Sequence, residues 1–166
     1  MDLRSFKTID LIKLDDLLSE NILAVQIWDN IGIIDAIDNL IANIINVVHS
    51  HHIPILINNR FQFLDSFDFD GVHFDAIPPQ WNEIKERLRD KIVGITCTNE
   101  LNKIQWADAH HIDYISYCSM FPSVNNSRCD LVDKNLIKEV QEKFKTPFFL
   151  AGGIHPDNIS LLRGLR

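Results

Sequence analysis

Short runs of apolar, β-prone residues alternate along the chain with longer stretches whose apolar positions recur at helical spacing. This is the pattern of repeated βα units built on a parallel sheet. The runs are Leu23–Trp28, Ile55–Asn58, Gly71–Phe74, Ile92–Thr96, Tyr114–Tyr117 and Phe148–Ala151. Several are apolar at successive positions, as strands covered on both faces are. Between the first two, apolar residues stand at 34, 37, 41, 44, 45 and 48, which is one stripe of an amphipathic helix over Ile34–Val48. Trp81–Leu88, Glu100–His110 and Asp133–Phe144 predict further helices, and Leu11–Leu18 and Pro156–Arg163 predict shorter ones near the two ends. Leu3–Ile9 alternates weakly as a first strand, so the count is seven strands at most.

Breakers fall where this pattern needs them. Pro54 and Pro147 each stand just before a strand, and Pro79 suits the first turn of the helix that follows. Helix Asp133–Phe144 opens on an acidic residue and closes among Lys143 and Lys145, so its charges complement the helix dipole. No internal repeat, low-complexity tract or linker interrupts residues 1–166, which predict one continuous domain. Periodicity alone leaves two architectures: an open sheet of flavodoxin type, and a barrel lacking its last βα unit.

Length and charge narrow the classes. A (β/α)₈ barrel usually takes about 250 residues, and this chain has 166. Its composition is 46% apolar, enough for a real core, and 16 basic against 23 acidic side chains give a net charge of −7. Wholesale electrostatic binding of nucleic acid or anionic lipid is disfavoured at that charge. No stretch approaches 18 uninterrupted apolar residues and the first ten residues hold no signal-like apolar core. Cys97, Cys118 and Cys129 are too few and too irregularly spaced for a disulfide framework or a metal site, so reduced thiols and a cytoplasmic location are expected.

The strand-end segments Val25–Asn30 (VQIWDN), Pro54–Arg60 (PILINNR), Asp70–His73 (DGVH), Val93–Thr96 (VGIT), Tyr114–Tyr117 (YISY) running on to Met120–Ser123 (MFPS), and Ala151–Ile154 (AGGI) occur in that order. Together they resemble the thiamin phosphate synthase family and its thiazole tautomerase-like relatives, whose corresponding strings read VQLREK, PLIINDR, DGVHLGQED, IGVST, YIGFGPIFPTPTK and AIGGI. The resemblance runs from about Leu11 to Asn158. It implies a (β/α)₈ barrel, here without its eighth βα unit, with its site at the C-terminal ends of the strands. It also implies coupling of hydroxymethylpyrimidine diphosphate to a thiazole phosphate, releasing pyrophosphate in the presence of Mg²⁺. The implied partner is thus a small phosphorylated heterocycle.

Carried over position by position, the resemblance assigns Gln26 and Asn58 to the pyrimidine, Thr96 to a hydrogen bond with ligand, Ser123 and Asn125 to the loop before the next helix, and Gly152 and Gly153 to the thiazole phosphate. Backbone N–H groups at such a glycine pair can hold an anion. Elsewhere the chain departs from the family. Trp28, Asn30 and Asn126 stand where the family carries phosphate-facing cations, with Arg128 two residues beyond the last. The metal aspartates fall on Asn59 and Pro78, leaving Asp75 as the nearby carboxylate. A hard cation binds carboxylates far better than carboxamides. The tautomerase-like relatives' histidine falls on Ser119.

Two functions follow as expectations: a thiamin phosphate synthase-like transferase, and a catalytically silent binding or regulatory protein that keeps the fold. A missing stave leaves unpaired strand edges, which predict a homo-oligomer or an edge covered by the N-terminal segment. Several of these residues also have plain structural readings. Asn58 and Asn59 suit a turn after a strand, Gln26 a satisfied core amide, and the glycines a positive-φ turn. His73 reads as a core histidine, and His49, His51, His52, His110 and His111 as helix-end groups that cap carbonyls.

Overall fold

The computed structural model describes residues 1–3, 6, 10–28, 37–122 and 130–165. In chain order they form α1 (Asp10–Leu18), β1 (Val25–Ile27), α2 (Ile37–Ser50), β2 (Ile55–Asn58), β3 (Gly71–Phe74), α3 (Trp81–Ile84), β4 (Ile92–Cys97), α4 (Leu101–Ala109), β5 (Tyr114–Tyr117), α5 (Lys134–Lys143) and β6 (Phe148–Leu150). Short 3₁₀ helices cover Phe61–Asp65 and Ile159–Leu162. The fold is α/β with six strands. Its contacts gather into two compact units, Met1–Phe74 with Gln80–Val93, and Asp75–Pro79 with Gly94–Arg166.

In the first unit β1, β2 and β3 are parallel neighbours in chain order, with Gln26 opposite Leu56 and Asn58 opposite His73. β2 and β3 are buried at every position, as their apolar runs predict. The stripe on α2 is buried at Ile41, Ile44, Ile45 and Val48, and α2 packs on α1 and β2. Asp70, just before β3, accepts hydrogen bonds from the N–H of Ile55 at 2.7 Å and from His49 Nε2 at 2.9 Å, pinning the end of α2 to the start of β2. His51 Nε2 meets Asp15 at 2.7 Å. The expectation that these two histidines cap helix carbonyls is thereby corrected, because carboxylates from neighbouring elements lie within their reach. His110 does cap, its Nδ1 meeting the carbonyl of Trp106 at 2.8 Å.

In the second unit β4, β5 and β6 are again parallel neighbours in chain order, with Ser116 opposite both Thr96 and Phe149. Ile104 and Ala107 of α4 and Ile137 and Val140 of α5 are buried. Asp133 caps α5, its side chain accepting from the N–H of Asn135 at 2.8 Å. Neither unit reverses its strand order, so the switch point that defines a flavodoxin-type sheet is missing from the described strands.

β1 is only Val25–Ile27 of the predicted Leu23–Trp28, the part that pairs with Ile55–Ile57 of β2. Two helices are also markedly shorter than their periodicity predicts. α3 stops at Ile84 rather than Leu88, because the chain tightens there into three-residue turns such as Arg87 N–H to the carbonyl of Ile84 at 3.0 Å. The last helix begins at Ile159 instead of Pro156, since the side chain of Asn158 is drawn back to the loop before it, on the N–H of His155 and the carbonyl of Gly153. Of the weak first strand, only Leu3 and Phe6 lie within the described residues.

The strand edges differ. Along β1, the N–H of Trp28 donates to the carbonyl of Met1 at 2.8 Å and the amine of Met1 to the carbonyl of Gln26 at 2.5 Å. The N-terminal residue covers that edge, as the edge argument allows. β6 pairs with β5 on one side, and no described strand lies on its other side. There a cavity of about 570 Å³ opens among Val140, Phe144, Phe148, Leu150 and Leu165, with Tyr117 and Gln141 in its wall. The Tyr117 hydroxyl and Gln141 Nε2 are buried without a hydrogen-bond partner.

Candidate functional site

In the first unit the candidate residues gather at the C-terminal ends of β1, β2 and β3. Side chains alternate along a strand, so Gln26 shares a face with Leu56 and Asn58, while Ile27, fully buried, lies on the opposite face. Gln26 Nε2 donates to Asn58 Oδ1 at 2.5 Å, and Asn58 and His73 are each only 2% exposed. Just beyond, Asn59 adopts φ 55° and its N–H donates to the carbonyl of His73 at 2.7 Å. Asparagine tolerates that left-handed conformation better than most residues. The turn reading of Asn59 and the polar-pair reading of Gln26 and Asn58 therefore hold together.

In the second unit the loop after β5 is sewn to the ends of β4 and β6. The N–H of Cys118 donates to the carbonyl of Cys97 at 3.2 Å, and the Thr98 hydroxyl to the carbonyl of Cys118 at 2.7 Å. On the other side, the N–H groups of Met120 and Phe121 donate to the carbonyls of Ala151 and Gly152 at 2.9 and 3.0 Å. Gly152 and Gly153 have φ of 87° and 68°. A Cβ on Gly152 would stand 2.6 Å from the Ser119 hydroxyl oxygen, and one on Gly153 would stand 2.4 Å from the carbonyl oxygen of Phe121. Both glycines are thus required by backbone conformation and by close approach. Their N–H groups and that of Ile154 donate to no acceptor among the described residues.

Thr96 is half-buried near the end of β4. Ser123 and Asn125, with Asn126 and Arg128, lie outside the described residues. Asn59 and Asp75, the positions that the resemblance gives to Mg²⁺, fall in different units. Asp75 is exposed, and among the described residues no group of three His, Cys, Asp or Glu side chains is placed to hold a metal. A carboxamide and one solvated carboxylate do not fit a hard divalent cation.

Sequence reasoning missed Asn158 and Lys134, and named Ser119 only as the position where the relatives carry a histidine. Ser119 is 4% exposed and packs against Gly152. Asn158 braces the glycine loop through the carbonyl of Gly153 at 2.8 Å. Lys134, on the first turn of α5, sits 5.0 Å from the Phe121 ring centroid. Only Asn158 had a visible signal, as a capping residue before a short helix.

Electrostatics at the strand ends are set by burial. Desolvation pushes the Cys97 thiol up to about 12 and the Tyr117 hydroxyl up to about 12, and it raises Tyr114 as well. These groups are neutral near pH 7 and are not nucleophiles. At Glu100 desolvation is outweighed by the Lys103 ammonium and the Thr98 N–H, which hold its carboxyl below the usual range.

The family model for thiamine monophosphate synthase matches residues 7–165. The thiamine-phosphate synthase of Picrophilus torridus is 28% identical over 117 residues, covering 70% of this chain and 57% of that protein. The chloroplastic thiamine biosynthetic bifunctional enzyme of Arabidopsis thaliana is 32% identical over 116 residues, covering 69% of this chain and 22% of that protein. Among solved structures, a thiamine phosphate pyrophosphorylase from Pyrococcus furiosus superposes with a TM-score of 0.76 at 19% identity, covering 95% of this chain and 75% of that one. The chain spans only a little over half the length of the Picrophilus relative.

Proposed function

We propose, from the premise that this chain belongs to the thiamine monophosphate synthase family, that it binds the heterocyclic precursors of thiamin. The pyrimidine lies at Gln26 and Asn58. The thiazole phosphate lies on the backbone of Gly152, Gly153 and Ile154, with Thr96 and, by the family resemblance alone, Ser123 and Asn125 as further hydrogen-bond groups. The observation that carries this reading is the pair of positive-φ glycines whose N–H groups have no acceptor among the described residues. Such a turn is an anion-binding concavity. On this reading the strands belong to a barrel wall of the (β/α)₈ type, the chain is cytoplasmic, and the open side of β6 joins a second copy.

Within the family, the coupling reaction itself is the first reading and silent binding the second. A specific feature favours the second: Asn59 supplies an amide where a divalent cation calls for a carboxylate. Losing one preorganised electrostatic contact costs about 10²–10³ in rate. Groups acting together do not lose their effects independently, so the total lies below the simple product. The test is formation of thiamin phosphate from both precursors with Mg²⁺, by the unmodified chain and by Asn59→Asp. Titration of the thiazole phosphate runs beside it. Binding with little or no turnover is expected. Robust turnover by the unmodified chain overturns the silent reading, and absence of thiazole phosphate binding overturns the site.

A further inference from the structure

The registers of the first unit place three side chains in one row. β1 pairs with β2 through Val25 with Ile55, Gln26 with Leu56 and Ile27 with Ile57. The N–H of Trp28 and the carbonyl of Gln26 both turn to Met1, so the strand's alternation continues through Trp28, which then stands opposite Asn58. Asn58 in turn stands opposite His73. Across the strand ends the row reads Trp28, Asn58, His73, with Gln26 reaching up to Asn58 from the row below. Asn58 and His73 are 2% exposed, whereas the Trp28 side chain is left 45% exposed.

The row itself carries no Lys or Arg side chain, and the amine of Met1 is held by the carbonyl of Gln26. The described Lys and Arg side chains of the unit are engaged elsewhere: Arg60 lies over the Phe63 ring, Arg87 meets Asp65, Arg89 meets Glu86, Lys13 meets Asp10, and Lys91 donates to the carbonyl of Phe69. Lys85 is exposed on the turn after α3. An indole face beside a carboxamide and an imidazole recognises a flat ring carrying nitrogen donors and acceptors. Among the described residues the row offers no Lys or Arg side chain to neutralise a diphosphate, in a chain whose net charge is −7. Burying an anion without a counter-charge is strongly unfavourable.

We propose that Trp28 is a specificity-determining residue that stacks on an uncharged heteroaromatic ring, so that this part of the site takes the unphosphorylated pyrimidine in preference to its diphosphate. The proposal rests on the pyrimidine assignment above. Stacking of a base on an aromatic side chain is worth roughly ten-fold to a hundred-fold in affinity. The experiment is calorimetric titration of the whole chain with hydroxymethylpyrimidine, with its diphosphate and with inorganic pyrophosphate, repeated for Trp28→Phe, Trp28→Ala and Trp28→Arg. Circular dichroism checks that each variant folds.

The unmodified chain is expected to bind the free alcohol at least about ten-fold tighter than the diphosphate. Trp28→Phe is expected to keep most of that affinity, Trp28→Ala to lose about ten-fold or more, and Trp28→Arg to invert the order of the two ligands. Tighter binding of the diphosphate by the unmodified chain, or equal binding by Trp28→Ala, overturns the proposal. If neither pyrimidine binds while the thiazole phosphate does, this proposal falls and the glycine site stands. If nothing binds, the functional reading fails with it.

Discussion

Gln26 and Asn58, on adjacent parallel strands, share a 2.5 Å hydrogen bond in which the Gln26 amide nitrogen donates to the Asn58 carbonyl oxygen. Asn58 is almost fully buried, so the bond satisfies an acceptor that water cannot reach. A polar pair in this place is therefore a packing element, and under the proposed function a recognition element as well.

Gln26→Leu is expected to destabilise the chain by about 1–3 kcal/mol, because the Asn58 acceptor loses this donor. That is a fall in Tm of roughly 2–4 °C per kcal/mol for a chain of this size. Adding Asn58→Leu should restore part of the loss, since replacing both partners removes the unsatisfied group. Pyrimidine binding should be lost in both variants. Thermal unfolding and calorimetric titration together separate the two roles.

Gly152→Ala and Gly164→Ala form a matched pair. Both glycines have positive φ, at 87° and 95°, but a Cβ at 152 meets Ser119 at 2.6–2.8 Å and a Cβ at 164 meets nothing within 4 Å. Gly164→Ala should cost about 1 kcal/mol in urea unfolding, from backbone conformation alone. Gly152→Ala should cost a further 1–3 kcal/mol, roughly, from overpacking against the β5 loop. Equal costs would mean that the loop yields freely.

Stability should fall in alkali. Cys97 and Tyr117 hold their protons up to about 12, and Tyr114 is also raised, against ordinary values of 9.0 for the thiol and 10.0 for the phenols. Between pH 9 and 12 the unfolded chain releases protons that the folded chain keeps, so folding stability declines as pH rises through that window. Urea midpoints across pH 7–11 check this, and a flat profile contradicts it. Cys97 should also resist alkylation at pH 8 until the chain is unfolded.

The outer side of β6 should be where copies meet. Strands leave alternate backbone groups turned to each side, and here Phe149 is 43% exposed beside the cavity that holds the unpartnered Tyr117 hydroxyl and Gln141 amide. Sedimentation equilibrium is expected to show a dimer for the unmodified chain and a monomer for Phe149→Lys, a charged edge being a natural block to strand addition. A monomer in both cases removes the β6 edge from consideration.

The sequence by itself determined the order and type of the elements. Ile55–Asn58 and Gly71–Phe74 are strands at the boundaries their runs predict, because both are buried at every position, and Tyr114–Tyr117 keeps its predicted boundaries with burial that alternates. The α2 stripe is legible for the same reason at the helical period. The motif string also placed the chain in its family before any coordinates. Tertiary structure decided the rest. His49 and His51 bind Asp70 and Asp15 rather than helix carbonyls, since those carboxylates, 21 and 36 positions away in the chain, are brought close only by packing. Periodicity carries no such distance. Gly152 and Gly153 looked like a turn or an anion site, and close approach to Ser119 and Phe121 shows that packing alone already forbids any side chain there. Trp28 looked like a lost arginine. The register of β1, β2 and β3, carried one residue past Ile27, puts it in one row with Asn58 and His73, and that neighbourhood follows from strand register, which a linear pattern does not encode.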